Sequence, residues 1–339
     1  MSRNIAAGAR VRLADVAAAA GVSAMTVSRA LHEPSRLHPH TLGVILAKVK
    51  ELGYVPNESA RALVSSRSRI VGAIVPTLSY SVYAGTLQGL SDALRGAGYE
   101  LVLGDSGYSA ERELSLVKAF IGRGVDAMVL TGVEHVPAAR ELVHRHGLPV
   151  AEIWDLASAP LGLVVGFCNR SAGAAAGELL ASIDRRRWAF IGCEPALEHR
   201  SRKRMDGLRR AARDAGRPPP VECFVTDPMS IDGARRAAAD LLSRAPDIDA
   251  VFCANDLLAC ALLQVARRTG RTVPDDLALV GFGDFDVALI ADPALTTIRV
   301  PGYRMGQVAA ESLLAQLDHD EPPVAPIDLG FEVVRRETA

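Results

Sequence analysis

From Leu13 the chain sets apolar residues at helical spacing, with Leu13, Val16, Ala17 and Ala20 on one face, and then breaks at Gly21. Ser23 stands where a side chain can cap a second helix, Ala24 to Leu31, in which Val27 and Leu31 point inward and His32-Glu33-Pro34 ends the run. Two short helices joined by a glycine turn make a helix-turn-helix, whose second helix enters the major groove of DNA. A third helix, Pro39 to Leu52, is expected to close the small core with Leu42, Ile45, Leu46 and Val49. From Ile70 the pattern changes to short apolar runs alternating with amphipathic stretches. The runs are IVGAIVP, ELVLG, DAMVL, LPVAEIW, RRWAFIG, VECFV, DAVFCA, LALVGF, TTIRVP and IDLGFEVV; the helical stretches include Ala84 to Ala97, Ala110 to Gly122 and Tyr303 to Leu317. Such alternation predicts an α/β fold of parallel sheets covered on both faces, preceded by an all-α head. Two sheets leave a cleft, and ligands bind at the carboxyl ends of the strands that face it.

At 339 residues the chain exceeds what one core usually fills, and 49% hydrophobic with 23% charged residues describes a folded soluble protein. The net charge of −1 conceals an asymmetry. Residues 1–69 carry ten Lys or Arg against four acids, a net +6, which leaves 28 basic against 35 acidic, a net −7, in the remainder. A basic head on an acidic body suits a polyanion-binding module carried by a separate domain. The five cysteines (Cys168, Cys193, Cys223, Cys253, Cys260) never form CxxC and read as reduced, buried residues. No segment offers a membrane span, and the Ala-rich stretch from Leu13 to Val22 is interrupted by Asp15, so a cytoplasmic protein without a signal peptide is expected. That and the DNA-binding head weigh against a sugar-binding transport protein. An enzyme is disfavoured because GxxxxGK[ST], HExxH and GxSxG are all absent from the sequence, and no cofactor or metal is expected.

The outward residues of the second helix are Ala24, Met25, Thr26, Ser28 and Arg29. Ala24 and Met25 offer apolar contact to a thymine methyl, Thr26 and Ser28 reach phosphates or base edges, and Arg29 can fork onto guanine. In the body, Asp155, Asn255, Asp256 and Asp284 close strands and Tyr80 and Tyr83 follow the first, while Arg204 lies on a helix bordering the cleft. Carboxylates and amides there suit sugar hydroxyls, and a guanidinium suits an anion.

The strings DVAAAAGVSAMTVSRAL and ELGYVPNESARAL resemble the head of the LacI/GalR family of bacterial transcription regulators, and the likeness continues along the whole chain. The resemblance implies a head over 1–56 and a hinge helix and linker over 57–69. It implies a periplasmic-binding-protein-like body over 70–339, made of two doubly wound parallel-sheet subdomains, 70–165 with 296–324 and 166–295 with 325–339. The chain would then cross between subdomains near 165, 295 and 325. Asn57 would cap the hinge helix, Glu58 to Ser65, Leu63 would wedge into the minor groove, and Ser23 and Tyr54 would join the DNA contacts. Asp155, Arg204 and Asn255 match effector-contacting positions of the family. Gly283 stands where sugar-binding relatives often have Asp and Pro228 where others place an aromatic, which argues against a neutral pyranose. Within the family the chain is most similar to gluconate-utilisation repressors, through Met-Thr-Val-Ser-Arg in the second helix, VGF-x-N at Val165 to Asn169, Phe-Cys-x-Asn-Asp at Phe252 to Asp256, the GFGDFD loop and Asp-Leu-Gly-Phe at Asp328 to Phe331. A homodimer on double-stranded operator DNA, switched by a sugar acid such as gluconate, is therefore expected. A regulator answering to a neutral sugar or a nucleoside is the alternative. The chain ends in FEVVRRETA without a leucine heptad, which points to a dimer.

Overall fold

The computed structural model describes residues 11–55, 67–78, 81–157, 159–194, 198–225, 230–319 and 325–339. Asn57, Leu63, the rest of the expected hinge helix, Tyr80 and Pro228 lie outside them. The chain divides into two compact units, residues 1–68 and 69–339.

The first unit holds α1 (Leu13–Ala20), α2 (Ala24–His32) and α3 (Pro39–Leu52). The backbone N–H of Arg12 donates to Asp15 Oδ2 at 2.8 Å and opens α1. Gly21, at φ +68°, closes it, because the left-handed turn lets the Val22 N–H reach the Ala17 carbonyl at 3.0 Å. Ser23 Oγ then accepts from the Thr26 N–H and starts α2. Val16, Ala17, Val27, Ala30 and Ile45 form the core, with Leu31, Leu42 and Val49 packed on it. Leu46, expected in this core, is 45% exposed. Leu42, Ile45 and Val49 already occupy the inward stripe of α3, and Leu46 falls about 100° further round.

The second unit begins with β1 (Ile70–Val75), α4 (Ala84–Gly96), β2 (Glu100–Asp105), α5 (Ala110–Gly122), β3 (Ala127–Thr131), α6 (Pro137–Arg145), β4 (Val150–Ile153) and β5 (Leu163–Gly166). It continues with α7 (Asn169–Ser182), β6 (Trp188–Cys193), α8 (His199–Asp214), β7 (Val221–Val225), α9 (Ile231–Arg244), β8 (Ala250–Cys253), α10 (Asp256–Arg268), β9 (Ala278–Gly283), α11 (Asp286–Ile290) and β10 (Thr296–Arg299). It ends with α12 (Gly302–His319), β11 (Ile327–Asp328) and β12 (Glu332–Val334). One sheet has the order β11-β5-β4-β3-β1-β2 and is wholly parallel; the other runs β12-β10-β9-β8-β6-β7 and is parallel except for β12. Helices cover both faces, so β3, β4, β5, β6, β8 and β9 are buried almost end to end, whereas the edge strand β2 exposes Val102 and Leu103.

The chain passes from the first sheet to the second after Gly166, returns after Arg299 and leaves again after Asp328. The second passage falls later than 295 because Thr296 and Thr297 are fully buried in β10, paired with Val280 and Gly281 of β9. The third follows 325 because β11 pairs with β5 before the chain leaves. Helices α7 and α8 meet backbone to backbone. A Cβ on Gly173 would stand 1.8 Å from the Arg204 carbonyl oxygen, and one on Gly207 would stand 2.0 Å from that of Arg170.

Candidate functional site

In the first unit, α2 turns Ala24, Met25 and Arg29 to the outside, with Thr26 and Ser28 half-buried. Met25 is 71% exposed, a large apolar side chain with no place in the core. Ser23 Oγ lies 2.8 Å from Thr26 Oγ1, so the cap ties the first turn of α2 together. Tyr54 follows Gly53 and packs against the core of this unit. An exposed thioether and a hydroxyl in the first turn of a capped helix, with Ser28 and the Arg29 guanidinium following along it, match the chemistry of major-groove edges.

In the second unit a cavity of about 330 Å³ opens at the carboxyl ends of β1, β2, β3 and β4. The size is within the range of small-ligand sites. Its first-sheet side is lined by Pro76, Ser106, Tyr108, Ser109, Glu113, the segment Thr131 to Val136, and Asp155. Facing them are Glu198, His199 and Arg200, at and just before the start of α8.

Arg200 is buried and donates from Nη2 to the Tyr83 hydroxyl at 2.9 Å, while its Nε pairs with Glu198 Oε1 at 3.1 Å. One turn on, Arg204 is also buried. It donates to Asn169 Oδ1 at 2.6 Å and to Glu198 Oε2 at 3.2 Å, and its guanidinium lies over the Phe282 ring, 4.1 Å from the centroid. Burial lowers the Arg204 pKa; Glu198 opposes the fall and the neighbouring Arg200 adds to it. Burial also works against the charge on Arg200, but Tyr83 and Glu198 outweigh it and hold this guanidinium protonated. Two buried cations thus share one carboxylate, and Arg200 Nη1 and Arg204 Nε have no hydrogen-bond partner among the described residues.

On the first-sheet side, the side chain of His135 is buried, with Nδ1 2.9 Å from Glu113 Oε1 and Nε2 3.4 Å from Glu152 Oε1. Burial by itself would depress the imidazole, but the hydrogen bonds and charges of Glu113 and Glu152 reverse this and raise it to about 9. Asp155, 3% exposed, receives Lys203 Nζ at 2.5 Å and Asn169 Nδ2 at 3.2 Å.

Of the residues singled out from the sequence, Asp155 lines the cavity, and Tyr83 stands behind Arg200 rather than on the lining. Arg204 lies deeper, bound to Asn169 and Glu198. Asn255 caps α10, its Oδ1 accepting the Leu258 N–H at 2.8 Å. Asp284 is not brought to this cavity. Its oxygens are held by Arg299 Nε at 2.7 Å and Arg336 Nη2 at 2.6 Å, so two cations neutralise the carboxylate that the cleft was expected to use. The sequence reading missed Arg200, Tyr108, Glu113 and His135. For Arg200 a signal was available: Arg200, Arg204, Gly207 and Ala211 form one helical stripe, and the small residues mark it as the buried face.

Residues 12–57 match the family model described as bacterial regulatory proteins, lacI family, and residues 178–339 match a periplasmic binding protein-like domain. The chain is 35% identical over 337 residues to an HTH-type transcriptional regulator GntR of Pseudomonas aeruginosa, covering 99% of this chain and 98% of that protein. The solved structure of a LacI-family transcriptional regulator from Silicibacter pomeroyi superposes with a TM-score of 0.89 at 30% identity, over 97% of this chain and 99% of the other. That of transcription regulator GntR from Chromobacterium violaceum gives 0.75 at 35% identity, over 79% and 98%. Among the described residues no helix is long and apolar enough to cross a membrane. With a helix-turn-helix unit and a two-sheet ligand-binding unit, this chain belongs to the lacI family of bacterial regulatory proteins, as a transcriptional repressor that binds operator DNA and a small-molecule effector and is not an enzyme.

Proposed function

We propose that the effector is a sugar acid, an aldonate such as gluconate, and that it lowers the affinity of a homodimer for a palindromic operator. The observation that carries this reading is the pair of buried guanidiniums sharing Glu198, with Arg200 Nη1 lacking a hydrogen-bond partner among the described residues. A buried cation without a full complement of acceptors favours an anionic ligand, and a carboxylate meets a guanidinium with two parallel bonds. Arg200 takes the carboxylate, Arg204 supports it from below, and Asp155 accepts a hydroxyl. The likeness to gluconate-utilisation repressors supports the same ligand class. On the DNA side, Met25, Thr26, Ser28 and Arg29 read base edges or phosphates, and a dimer doubles the few contacts that one short helix offers. A typical coupling of ~1 to 3 kcal/mol, roughly 5- to 150-fold, separates operator affinity with and without ligand, and operator weakens ligand binding by the same factor.

Titration calorimetry with gluconate, galactonate, glucose and a nucleoside, on the parent and on Arg200→Ala, tests the ligand; an operator gel shift with and without gluconate tests the switch. Binding of the acids that is lost in the variant is expected. Preference for glucose or the nucleoside, or equal binding of gluconate by parent and variant, would overturn the sugar-acid assignment and leave the repressor assignment standing.

A further inference from the structure

We propose that Glu113 is a second recognition point of this cavity, accepting a chain hydroxyl of the ligand across from the carboxylate held by Arg200, with His135 as its positioning residue. The inference rests on the sugar-acid reading above and adds a selection rule: the cavity takes polyhydroxy monoacids and rejects the corresponding diacids.

Glu113 belongs to the first turn of α5, on the first-sheet side, whereas Arg200 comes from α8 on the other. The Glu113 side chain is 16% exposed and lines the cavity. One oxygen is engaged by His135, and no other bond to this carboxylate is present among the described residues. His135 is clamped on its far side by the Gly132 carbonyl at 3.2 Å and by Glu152, itself fully buried and receiving the Leu161 N–H at 2.7 Å. A ring held between two carboxylates donates from both nitrogens and stays cationic near neutral pH. Glu113 is therefore a carboxylate held in one orientation by its cationic partner, an acceptor at the cavity.

The two ends of the cavity carry opposite surpluses. Around Arg200 two guanidiniums meet one carboxylate; around His135 two carboxylates meet one imidazolium. A molecule with a carboxylate at one end and hydroxyl donors along its chain fits this polarity in a single orientation. A sugar with carboxylates at both ends sets one of them against Glu113, where like charges with little water between them repel.

The test is calorimetry with gluconate and its diacid, glucarate, on the parent, Glu113→Gln, Glu113→Asp and His135→Gln, with ligand-free melting curves to establish folding. The parent should bind gluconate at least about tenfold more tightly than glucarate. Glu113→Gln should lose about ten- to hundredfold toward gluconate, the range of a hydrogen bond to a charged group, and should gain toward glucarate because an amide can donate. Glu113→Asp keeps the charge and should keep the rejection of glucarate. His135→Gln should move the gluconate-to-glucarate ratio toward that of Glu113→Gln, which a merely structural role would not do. Equal losses for both ligands in Glu113→Gln, or a parent that binds both alike, would overturn this inference alone. A parent that binds neither, yet binds a neutral sugar, would overturn it together with the effector reading.

Discussion

The His135 clamp makes the stability of the larger unit depend on alkaline pH. In the folded chain the imidazole titrates at about 9, because Glu113 and Glu152 outweigh the burial that acts against its charge; unfolded, it returns to its ordinary 6.5. A folded-state value above the unfolded one stabilises fully below pH 6.5, and the stabilisation is lost as the pH rises through about 9. At ~1.4 kcal/mol per pH unit the complete effect is roughly 3 kcal/mol, of which about 2 kcal/mol disappears between pH 7 and 9.5. The His135 side chain is buried and Glu113 beside it only 16% exposed, so solvent screening takes little from this. Urea unfolding at a series of pH values, on the parent and on His135→Gln, measures it. The two tryptophans, Trp154 and Trp188, are both buried in this unit, so their fluorescence follows its unfolding specifically. The parent should lose about 2 kcal/mol more than the variant across that interval. Parallel curves would refute the clamped imidazolium.

Arg204→Ala should destabilise the second unit toward the lower end of the roughly 3 to 5 kcal/mol typical of a broken buried pair, since Glu198 keeps Arg200 while Asn169 loses a donor; urea titration reads the change. Gly207→Ala drives a Cβ into the Arg170 carbonyl and should cost ~1 to 3 kcal/mol in the same assay, with a loss of gluconate affinity as α8 shifts. Arg29→Ala should weaken operator binding by ~1 to 3 kcal/mol in a fluorescence anisotropy titration, and unchanged affinity would remove Arg29 from base reading.

The elements were legible in the sequence where local chemistry and periodicity agree. Gly21 and Ser23 fix the turn between α1 and α2, and α5 begins and ends at Ala110 and Gly122 as its pattern indicates. The cavity was less legible, because a residue's place at a strand end does not reveal how its oxygens are satisfied. Asn255 caps its own helix and Asp284 is neutralised by Arg299 and Arg336, the latter 52 residues away. In the run His199-Arg200-Ser201-Arg202-Lys203-Arg204 four side chains are cationic, and only the packing against α7 decides that Arg200 and Arg204 turn inward while Arg202 faces solvent. His135 had no local signal, since its meaning comes from Glu113 and Glu152 on separate elements.

The glycine crossing of α7 and α8 has a mechanical consequence. Where side chains separate two helices, rotamer changes can absorb a sliding motion; here carbonyl oxygens occupy the places of the missing Cβ atoms, and the joint has no slack. The helix that carries Arg200 and Arg204 is thereby keyed to α7, which starts three residues after β5, at the first passage between the sheets. Asn169, the first residue of α7, is tied to Arg204 at 2.6 Å and to the Trp154 carbonyl at 2.9 Å, so it bridges both halves of the unit. A pull exerted on the guanidiniums is delivered to that passage as a displacement of a stiff two-helix body. Side chains on the open face of α8 can be exchanged without altering this linkage, whereas one added methyl at either glycine resets it.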